Sequence, residues 1–469
     1  MTPEVEIKFA CTAGTLEALA ARVFTGPGRD RRLVSVYYDT PGDDLAARGA
    51  ALRLRTDDSG RTVQTLKSGA GLARREAEVE TAPGRLDLDG DDLRVLLADA
   101  APGDLIPRFT VQVRRRTCEV LRGGSRIELA LDQGEILADG ARETVCEAEL
   151  ELVSGDVREL FALAADLVAD LPLTLSLRSK SDRGYRLAGG GLPVAPPAGL
   201  DCGEALRRAL LSALSETCAR IQATGADPAP EAVHGLRVSL RRLRSLMAVF
   251  RRRLRPSETT AVRRGLRDLA RACAAARELD VLRAAADPAG ALFAELGAAR
   301  QAAAALLVRR LEAAPARRVL LDVLVLGETG AWRKAGGAAA PAAALAGDLS
   351  RRWRRIRRLG RRFDDLDSAG RHDLRLRIKA LRYALESLDL PEWGGLRSDL
   401  VPALRKAQDA LGADNDAEAA RARLARLDLT RPARREADRL TSQGRRRGAR
   451  ARAGRAVRQL LETFGGALT

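Results

Sequence analysis

The spacing of apolar residues changes once along the chain, and this change most constrains the fold. From residue 1 to about 187 apolar and polar residues mostly alternate, as in 5–9, 52–55 and 110–114. A period of two indicates β-strands that bury one face. From 201 to 469 apolar residues recur every three or four positions in an Ala-, Leu- and Arg-rich sequence, which indicates amphipathic helices. The sequence therefore predicts a strand-rich domain followed by an all-α domain.

The segment between the two patterns predicts where they separate. Residues 188–200 are dominated by Gly, Pro and Ala and carry no charge, which is typical of a linker. We therefore place the domains at 1–187 and 201–469. Many strands interrupted by short helices near 16–23, 93–98 and 157–169 predict a barrel or a sandwich. An Ala/Gly/Pro-rich break at 335–344 divides the helical domain into halves of about 201–335 and 345–469.

The net charge differs in sign between the two predicted domains. The whole chain carries +17, but residues 1–200 sum to −6 and residues 201–469 to +23. The helical domain is therefore predicted to bind a polyanion.

Six scattered cysteines without a CxxC pair predict reduced thiols in a cytoplasmic protein. Without an apolar leader or an 18-residue apolar run, we expect no signal peptide, no transmembrane span and no membrane partner.

Charged residues in the first domain repeat on alternate positions, so each set shares one strand face. A solvated outer face is the plain interpretation of such a pattern. If these faces instead turn into a closed barrel, opposed carboxylates and cations require a highly charged guest, because unpaired buried charge is costly. Carboxylates bind hard divalent cations and Lys or Arg bind phosphate oxygens, so the pattern predicts metal and phosphate together. The sets are Glu4, Glu6 and Lys8; Arg53 and Arg55; Glu76 and Glu78; Arg114 and Arg116; and Glu147, Glu149 and Glu151.

Several ordered motifs over 1–187 resemble the CYTH family, the triphosphate tunnel metalloenzymes. The ExExK signature corresponds to residues 4–8. Further similar stretches are 37–41, 52–55, 64–67, 130–136, 147–151 and 179–186, which look most like the inorganic triphosphatase branch of the family. The resemblance implies an eight-stranded antiparallel tunnel that binds inorganic triphosphate with Mg²⁺ or Mn²⁺ and hydrolyses its terminal phosphoanhydride.

The resemblance also implies roles for individual residues. Lys8 and Glu6 are expected to act in catalysis, and whether Lys8, a glutamate or a metal-activated water is the base is left open. The expected triphosphate ligands are Lys8, Arg53, Arg55, Lys67, Arg114, Arg116, Lys180 and Arg183. The expected metal ligands are Glu4, Glu6, Glu76, Glu78, Asp132, Glu147, Glu149 and Glu151.

The helical domain contains an internal repeat of basic residues. His234, Arg237, Arg241 and Arg244 have the same spacing as His372, Arg375, Lys379 and Arg382, and no other histidine occurs in the sequence. At about 100° per residue each set forms one helical stripe, whose like charges repel. Such a stripe usually faces solvent, but its duplication favours a bound polyanion. The repeat predicts a helical bundle with internal two-fold symmetry.

These stripes resemble the conserved-histidine α-helical (CHAD) domain over about 201–469. The H-x-x-R-V…R-x-x-R pattern is matched at 234–244, and 377–383 and 408–416 are similar to the family's second half. The resemblance implies that inorganic polyphosphate binds along a basic groove, with the eight repeat residues as its ligands. It also suggests association with polyphosphate granules.

Other functions remain open from the sequence. The tunnel could be catalytically idle in a polyphosphate-binding protein, or the basic domain could bind nucleic acid. The second is less favoured because few aromatic residues accompany the basic stripes. Tripolyphosphate, nucleoside triphosphates, thiamine triphosphate and adenylate cyclase chemistry all remain candidates for the tunnel, and the sequence does not predict an oligomeric state.

Overall fold

A computed structural model describes residues 2–24, 28–69, 73–90, 105–190, 200–334, 341–388, 390, 393–441 and 444–464. The chain divides into two compact units, Met1–Pro197 and Ala198–Thr469. The predicted helix at 93–98, most of the predicted linker and residues 335–340 of the predicted inter-half break lie outside the described residues. Each unit is treated by itself below.

The first unit is an antiparallel sheet closed on itself. Its order is β5-β4-β3-β2-β6-β7-β8-β1-β9, and β5 also pairs with β1. The prediction of eight strands is wrong, because the described residues contain nine: the three-residue β9 pairs with β1 beside the ring. The strands are β1 Thr2–Ala10, β2 Arg29–Asp39, β3 Ala50–Asp57, β4 Thr62–Ser68, β5 Ala73–Thr81, β6 Ile106–Arg122, β7 Ser125–Ala138, β8 Ala141–Ser154 and β9 Thr174–Ser176.

Helices cover part of the outer surface, so β1, β7 and β8 bury both faces. The four helices described here are α1 (Ala13–Val23), α2 (Asp44–Ala47), α3 (Val157–Asp170) and α4 (Lys180–Leu187). Ile7, Leu129 and Leu150 are fully buried on the face toward α1 and α3. The alternate residues of the same strands therefore point into the barrel, and these are the charged ones.

Apolar side chains fill the barrel at one end. Tyr37 stacks on Phe109 with ring centroids 4.5 Å apart, and Tyr185 from α4 meets Phe109 edge-on at 5.0 Å. Gly184 permits this approach, because an added Cβ would lie 2.1 Å from the Phe109 ring. We call Tyr37, Phe109, Val111, Ile136 and Tyr185 the apolar plug. The charged part of the interior begins next to it.

The second unit is helical throughout its described residues. The helices with the predicted basic stripes, α6 and α11, pack against each other, while the two-fold repeat itself stays a prediction. The helix α8 is long and apolar enough to cross a membrane by length and composition, a test that core helices also pass. The α-helices are α5 Cys202–Gln222, α6 Pro230–Val249, α7 Pro256–Ala285, α8 Ala291–Glu312, α9 Ala314–Thr329, α10 Pro341–Arg361, α11 Ser368–Ser387, α12 Gly394–Leu424, α13 Arg431–Leu440 and α14 Gly444–Phe464.

Candidate active site in the barrel and a cationic groove in the helical unit

A cavity of about 240 Å³ lies inside the barrel, and we call it the central cavity. Its described lining contains equal numbers of cationic and acidic side chains, so the formal charges of the lining sum to about zero. Enclosed charges of both signs fit a guest that brings both a cation and an anion. The cations are Lys8, Arg53, Arg55, Lys67, Arg115 and Lys180, and the carboxylates are Glu6, Glu76, Glu78, Glu128, Glu149 and Glu151.

The lysine of the ExExK signature joins two strands through its ammonium group. Lys8 Nζ donates to Glu6 on its own strand and to Glu149 Oε1 on β8 at 2.7 Å. Backbone register explains this, because Lys8 lies opposite Glu149 and Glu6 lies opposite Glu151. Alternation on β1 therefore sets the carboxylate and the ammonium side by side on the inner face.

A second lysine organises the carboxylates behind the cavity. Lys180 Nζ contacts Asp132 Oδ2 at 2.6 Å, Glu149 Oε1 at 3.0 Å and also Glu147. Arg115 forms a two-point pair with Asp132, at 2.6 and 2.7 Å, and reaches Glu149 Oε2 at 2.6 Å. These buried carboxylates are thus compensated by cations, as buried charges must be.

The network keeps Glu149, Glu6 and Lys8 ionised despite burial. Burial alone would raise the pKa of Glu149, but Lys180, Lys8 and Arg115 outweigh it and hold that pKa well below its usual value. Burial likewise opposes ionisation of Glu6, yet Lys8 lowers its pKa overall. The pKa of Lys8 is raised, because Glu149 and Glu6 more than offset its burial. Glu6 is therefore available as an anionic ligand near neutral pH.

Two arginines in the cavity lack full compensation. The buried Nε atoms of Arg53 and Arg55 have no hydrogen-bond partner among the described residues. Burial, followed by repulsion from Arg53 and Arg115, lowers the pKa of Arg55 to about 9. Tyr37 Oη accepts only a long bond of 3.4 Å from Arg53. An oxyanion between these guanidinium groups would satisfy both donors and restore the ordinary pKa of Arg55.

The donor set fits a hard divalent cation. Asp132, Glu147 and Glu149 each offer an oxygen within 4.8 Å of the others. Carboxylate oxygens suit Mg²⁺ and Mn²⁺. However, Lys180 contacts all three carboxylates, so a cation there would compete with its ammonium. Glu6 and Glu151 lie opposite each other on neighbouring strands and line the cavity beside Glu149, so these three form a second carboxylate set. In this set the Lys8 ammonium contacts Glu6 and Glu149.

Most residues predicted for the tunnel come together. The structure brings Glu6, Lys8, Arg53, Arg55, Lys67, Glu76, Glu78, Glu149, Glu151 and Lys180 to the central cavity. Asp132 and Glu147 lie just behind it, paired with Lys180. Arg183 does not line it and instead pairs with Glu143 at 2.6 Å and Glu147 at 3.1 Å. The side chain of Glu4 lies outside the described residues.

Arg114 and Arg116 are not in the cavity, which corrects the expectation for both. Arg114 is 62% exposed and pairs with Asp30, and Arg116 pairs with Glu17 at 2.7 Å on α1. The residue between them, Arg115, points inward. Phe109, Val111 and Val113 are the buried positions of β6, and Arg115 continues their parity. The alternation of apolar residues along β6 was therefore the sequence signal that could have identified Arg115, because it assigns the odd-numbered positions of this strand to the inner face.

Local structure fixes Lys180 at the start of α4. The Ser179 side chain accepts from the Asp182 amide at 3.0 Å, and Asp182 accepts from the Ser179 amide at 2.8 Å. This reciprocal capping box holds the first helical turn.

The aspartate of the motif at 37–41 has a structural part. Asp39 is fully buried and accepts from the amides of Leu45 and Ala46 and from the Tyr185 hydroxyl. Asp39 thus braces α2 and the plug.

The helical unit contains a much larger cavity of about 1020 Å³, which we call the cationic groove. Its described lining includes twelve Arg or Lys residues but two carboxylates, Glu278 and Asp373. No Phe, Tyr or Trp occurs among the described residues that line it. The cations are Arg237, Arg241, Arg244, Arg263, Arg267, Arg271, Arg277, Arg352, Arg375, Arg377, Lys379 and Arg423.

Crowding of like charge lowers the pKa values in the groove. Burial, followed by repulsion from Arg241 and other arginines, lowers the pKa of Lys379 to about 6. The pKa of Arg237 is lowered in the same way, and its buried Nη1 lacks a hydrogen-bond partner among the described residues. The pKa of His234 is also lowered, by burial and then by Arg277. A bound polyanion would remove this repulsion.

Seven of the eight residues predicted to bind polyphosphate line the cationic groove. They are His234, Arg237, Arg241, Arg244, His372, Arg375 and Lys379. The eighth, Arg382, points elsewhere, to Glu386 at 2.6 Å and Gln408 at 3.1 Å, above the Tyr383 ring. The sequence prediction missed the contribution of α7, namely Arg263, Arg267, Arg271 and Arg277. Their spacing of four, four and six residues was the available signal.

Comparison with known proteins agrees with both units. The CYTH domain model matches residues 2–185 and the CHAD domain model residues 208–425. An inorganic triphosphatase of Haemophilus influenzae is 30% identical over 200 residues, covering 40% of this chain and 55% of that protein. The uncharacterized protein MT2285 of Mycobacterium tuberculosis is 28% identical over 308 residues, covering 60% and 58%. The chain thus spans little more than half the length of these curated relatives.

Among solved structures, the CHAD domain from the plant Ricinus communis is 25% identical, with a TM-score of 0.46, and covers 57% of this chain and 94% of that one. The two domain models follow each other along the sequence in the order that the motifs predict. The CYTH match falls within the unit that contains the barrel, and the CHAD match falls within the unit that contains the groove. The protein is therefore built from a CYTH domain followed by a CHAD domain.

Proposed function

We propose that the barrel hydrolyses inorganic triphosphate in a reaction that depends on a divalent cation. One observation carries this proposal: the central cavity is lined both by carboxylates and by Arg53 and Arg55, whose buried Nε atoms have no hydrogen-bond partner among the described residues. Such a cavity suits an anion of high charge density bound together with a cation. Support also comes from the similarity to an inorganic triphosphatase.

Several groups in the cavity have a part in the proposed reaction. Arg53, Arg55 and Lys67 would hold phosphate oxygens and neutralise the charge that develops in the transition state. Glu6 and Glu151, with Glu149, would hold the cation. When bound, Mg²⁺ or Mn²⁺ polarises the terminal phosphate and favours deprotonation of the attacking water. Lys8, held between Glu6 and Glu149, keeps the carboxylates in position.

Replacing Glu6 by Gln tests the proposal. Glu6→Gln keeps the shape but removes an anionic ligand, so we expect phosphate release from tripolyphosphate with Mg²⁺ or Mn²⁺ to fall by roughly a thousandfold. The matched control is Glu17→Gln, an exposed carboxylate on α1 that should retain full activity. Full metal-dependent turnover by Glu6→Gln, with unchanged circular dichroism, would exclude this site. A wild-type chain without activity would favour a binding protein with an idle tunnel.

We further propose that the cationic groove binds inorganic polyphosphate. The observation that favours it is the excess of twelve Arg or Lys residues over two carboxylates in one cavity. A repeating phosphate chain would neutralise these cations along its length. The described lining offers no aromatic ring for stacking, so a nucleic acid would gain little beyond its backbone charge.

The groove can be tested with a double variant. Arg241→Gln combined with Arg375→Gln should weaken long-chain polyphosphate binding by at least about tenfold, because charge-assisted bonds to two phosphates are lost. Arg318→Gln, at an exposed arginine of α9 that pairs with Asp322, is the matched control and should bind normally. Duplex DNA that displaces polyphosphate at equal phosphate concentration would favour the nucleic-acid alternative.

A further inference from the structure

A second cavity of about 220 Å³ adjoins the central one inside the barrel, and we call it the mouth cavity. The two cavities share Arg55, Glu78, Arg115 and Glu128 in their linings. Neither the reaction proposed for triphosphate nor the apolar plug uses this space. The interior available to a guest is therefore longer than the central cavity alone.

Strand register places the mouth cavity on the side away from the plug. Tyr37 of the plug lies opposite Phe109, whereas Arg31 lies opposite Arg115 and Arg29 lies opposite Thr117. The two mouth-lining arginines of β2 thus lie six and eight residues from Tyr37, and Leu33 lies four residues from it. Because the plug fills the other end, a guest longer than the central cavity can extend in this direction.

The two cavities differ in charge. The central cavity holds six cations and six carboxylates. The mouth cavity holds five arginines, the shared Arg55 and Arg115 with Arg29, Arg31 and Arg61, against the three carboxylates Asp57, Glu78 and Glu128. The excess of arginines in this lining suits a continuing anion that arrives without a further metal ion. Arg31 pairs with Asp57 at 3.4 Å and Arg61 with Glu80 at 3.1 Å, and a phosphate would compete with these carboxylates for the half-exposed arginines.

The chemistry of the mouth lining also disfavours a nucleoside. Its apolar side chains among the described residues are Leu33 and Val63, and no aromatic ring is present among them. A base would therefore find neither a stacking platform nor an apolar slot of its size. Guanidinium groups instead match phosphate oxygens in geometry and charge.

We propose that the barrel accepts linear polyphosphates longer than tripolyphosphate, with the additional phosphates held in the mouth cavity by Arg29, Arg31 and Arg61. This inference rests on the proposed hydrolytic function and extends its substrate class. In each turnover a water oxygen bonds to the terminal phosphorus and the bridging P–O bond breaks. The products are orthophosphate and a chain one phosphate shorter, with the protons of water released or retained by the products.

The test compares two substrates in the full-length protein. The kcat/KM for tetrapolyphosphate is divided by that for tripolyphosphate, at fixed free Mg²⁺, in the wild type and in the double variant Arg31→Gln, Arg61→Gln. We expect the ratio to fall about tenfold in the double variant, mainly through KM for tetrapolyphosphate, since charge-assisted bonds to the added phosphate are lost. Both arginines are about half exposed, so the fold should persist, as circular dichroism will check. Arg142→Gln, exposed on β8, is the matched control and should keep the wild-type ratio.

Several results would overturn the inference. An unchanged ratio in the double variant would show that the mouth arginines do not hold the added phosphate. Wild-type protein that cleaves tripolyphosphate but not tetrapolyphosphate would refute the longer substrate while leaving the proposed function intact. Cleavage of ATP as efficient as that of tetrapolyphosphate would refute the discrimination against nucleosides. If no substrate is cleaved, the proposed function fails and this inference fails with it.

Discussion

If the groove binds polyphosphate, the lowered pKa of Lys379 should make that binding sensitive to pH. Burial and then Arg241, Arg375, Arg237 and Arg382 lower this pKa to about 6, so the free protein holds Lys379 neutral at pH 8. A neighbouring phosphate would raise that pKa, and binding at pH 8 would therefore take up a proton. Affinity should be highest below about pH 6 and fall as pH rises above it, by at most about tenfold per pH unit for one proton.

Titration calorimetry in buffers of different ionisation enthalpy measures this proton uptake. The matched variant is Lys379→Arg, which keeps a cation whose charge persists over the whole range. This variant should bind polyphosphate with a flatter pH dependence, and it should take up fewer protons on binding at pH 8 than the wild type does. An identical pH slope in the two proteins would assign the effect to the phosphate chain or to His234.

For single residues, the sequence predicts the chemistry of a side chain better than it predicts the strand face on which that side chain lies. Alternation correctly predicted that Glu6 and Lys8 share one strand face and that Arg53 and Arg55 share another. The structure turns both faces inward, since Ile7 and Leu52 on the opposite faces are fully buried. Alternation misplaced Arg114, because three consecutive arginines hide which parity faces inward. Phe109 and Val111, earlier on β6, show that the odd-numbered positions of this strand face inward. This inference is possible only once these two residues are known to belong to the apolar plug.

Among the elements, α4 has the greatest influence on the barrel interior, because it carries Lys180 and plugs one end. Ser179→Ala removes its N-cap and should cost about 1 kcal/mol in stability. Since Lys180 is the first helical residue, triphosphatase activity should fall as well. Thr12→Ala is the matched control, because Thr12 caps α1 in the same way, by accepting from the Thr15 amide. It should lower the thermal midpoint by a similar amount and leave activity unchanged, whereas an equal loss of activity in both would assign the effect to stability alone.

Some elements follow from the sequence and others do not. The period-two segments predict strands, and the apolar stripes predict the two packed helices of the groove. The three-residue β9 has no such pattern, since a strand this short is defined by its hydrogen bonds to β1. The spacing of the α7 arginines predicts a basic stripe on that helix, but the place of this stripe in the groove depends on tertiary packing, which no single-helix pattern contains.

For the whole molecule, the separation of charge predicts two different responses to salt. The groove gathers excess cations, so a polyphosphate bound there releases condensed counterions, and its affinity should fall steeply with ionic strength. If about six cations contact phosphates, the loss between 0.05 and 0.2 M salt would be roughly a thousandfold. The central cavity lies inside the barrel and its described lining is balanced in charge, so its kcat/KM for tripolyphosphate should fall less than roughly tenfold over the same range. Both quantities are measured on one preparation at constant free Mg²⁺, with binding followed by calorimetry and turnover by phosphate release. Equal slopes would mean that the barrel and the groove do not handle phosphate as separate sites, because only a shared, open cationic surface would respond to salt as one.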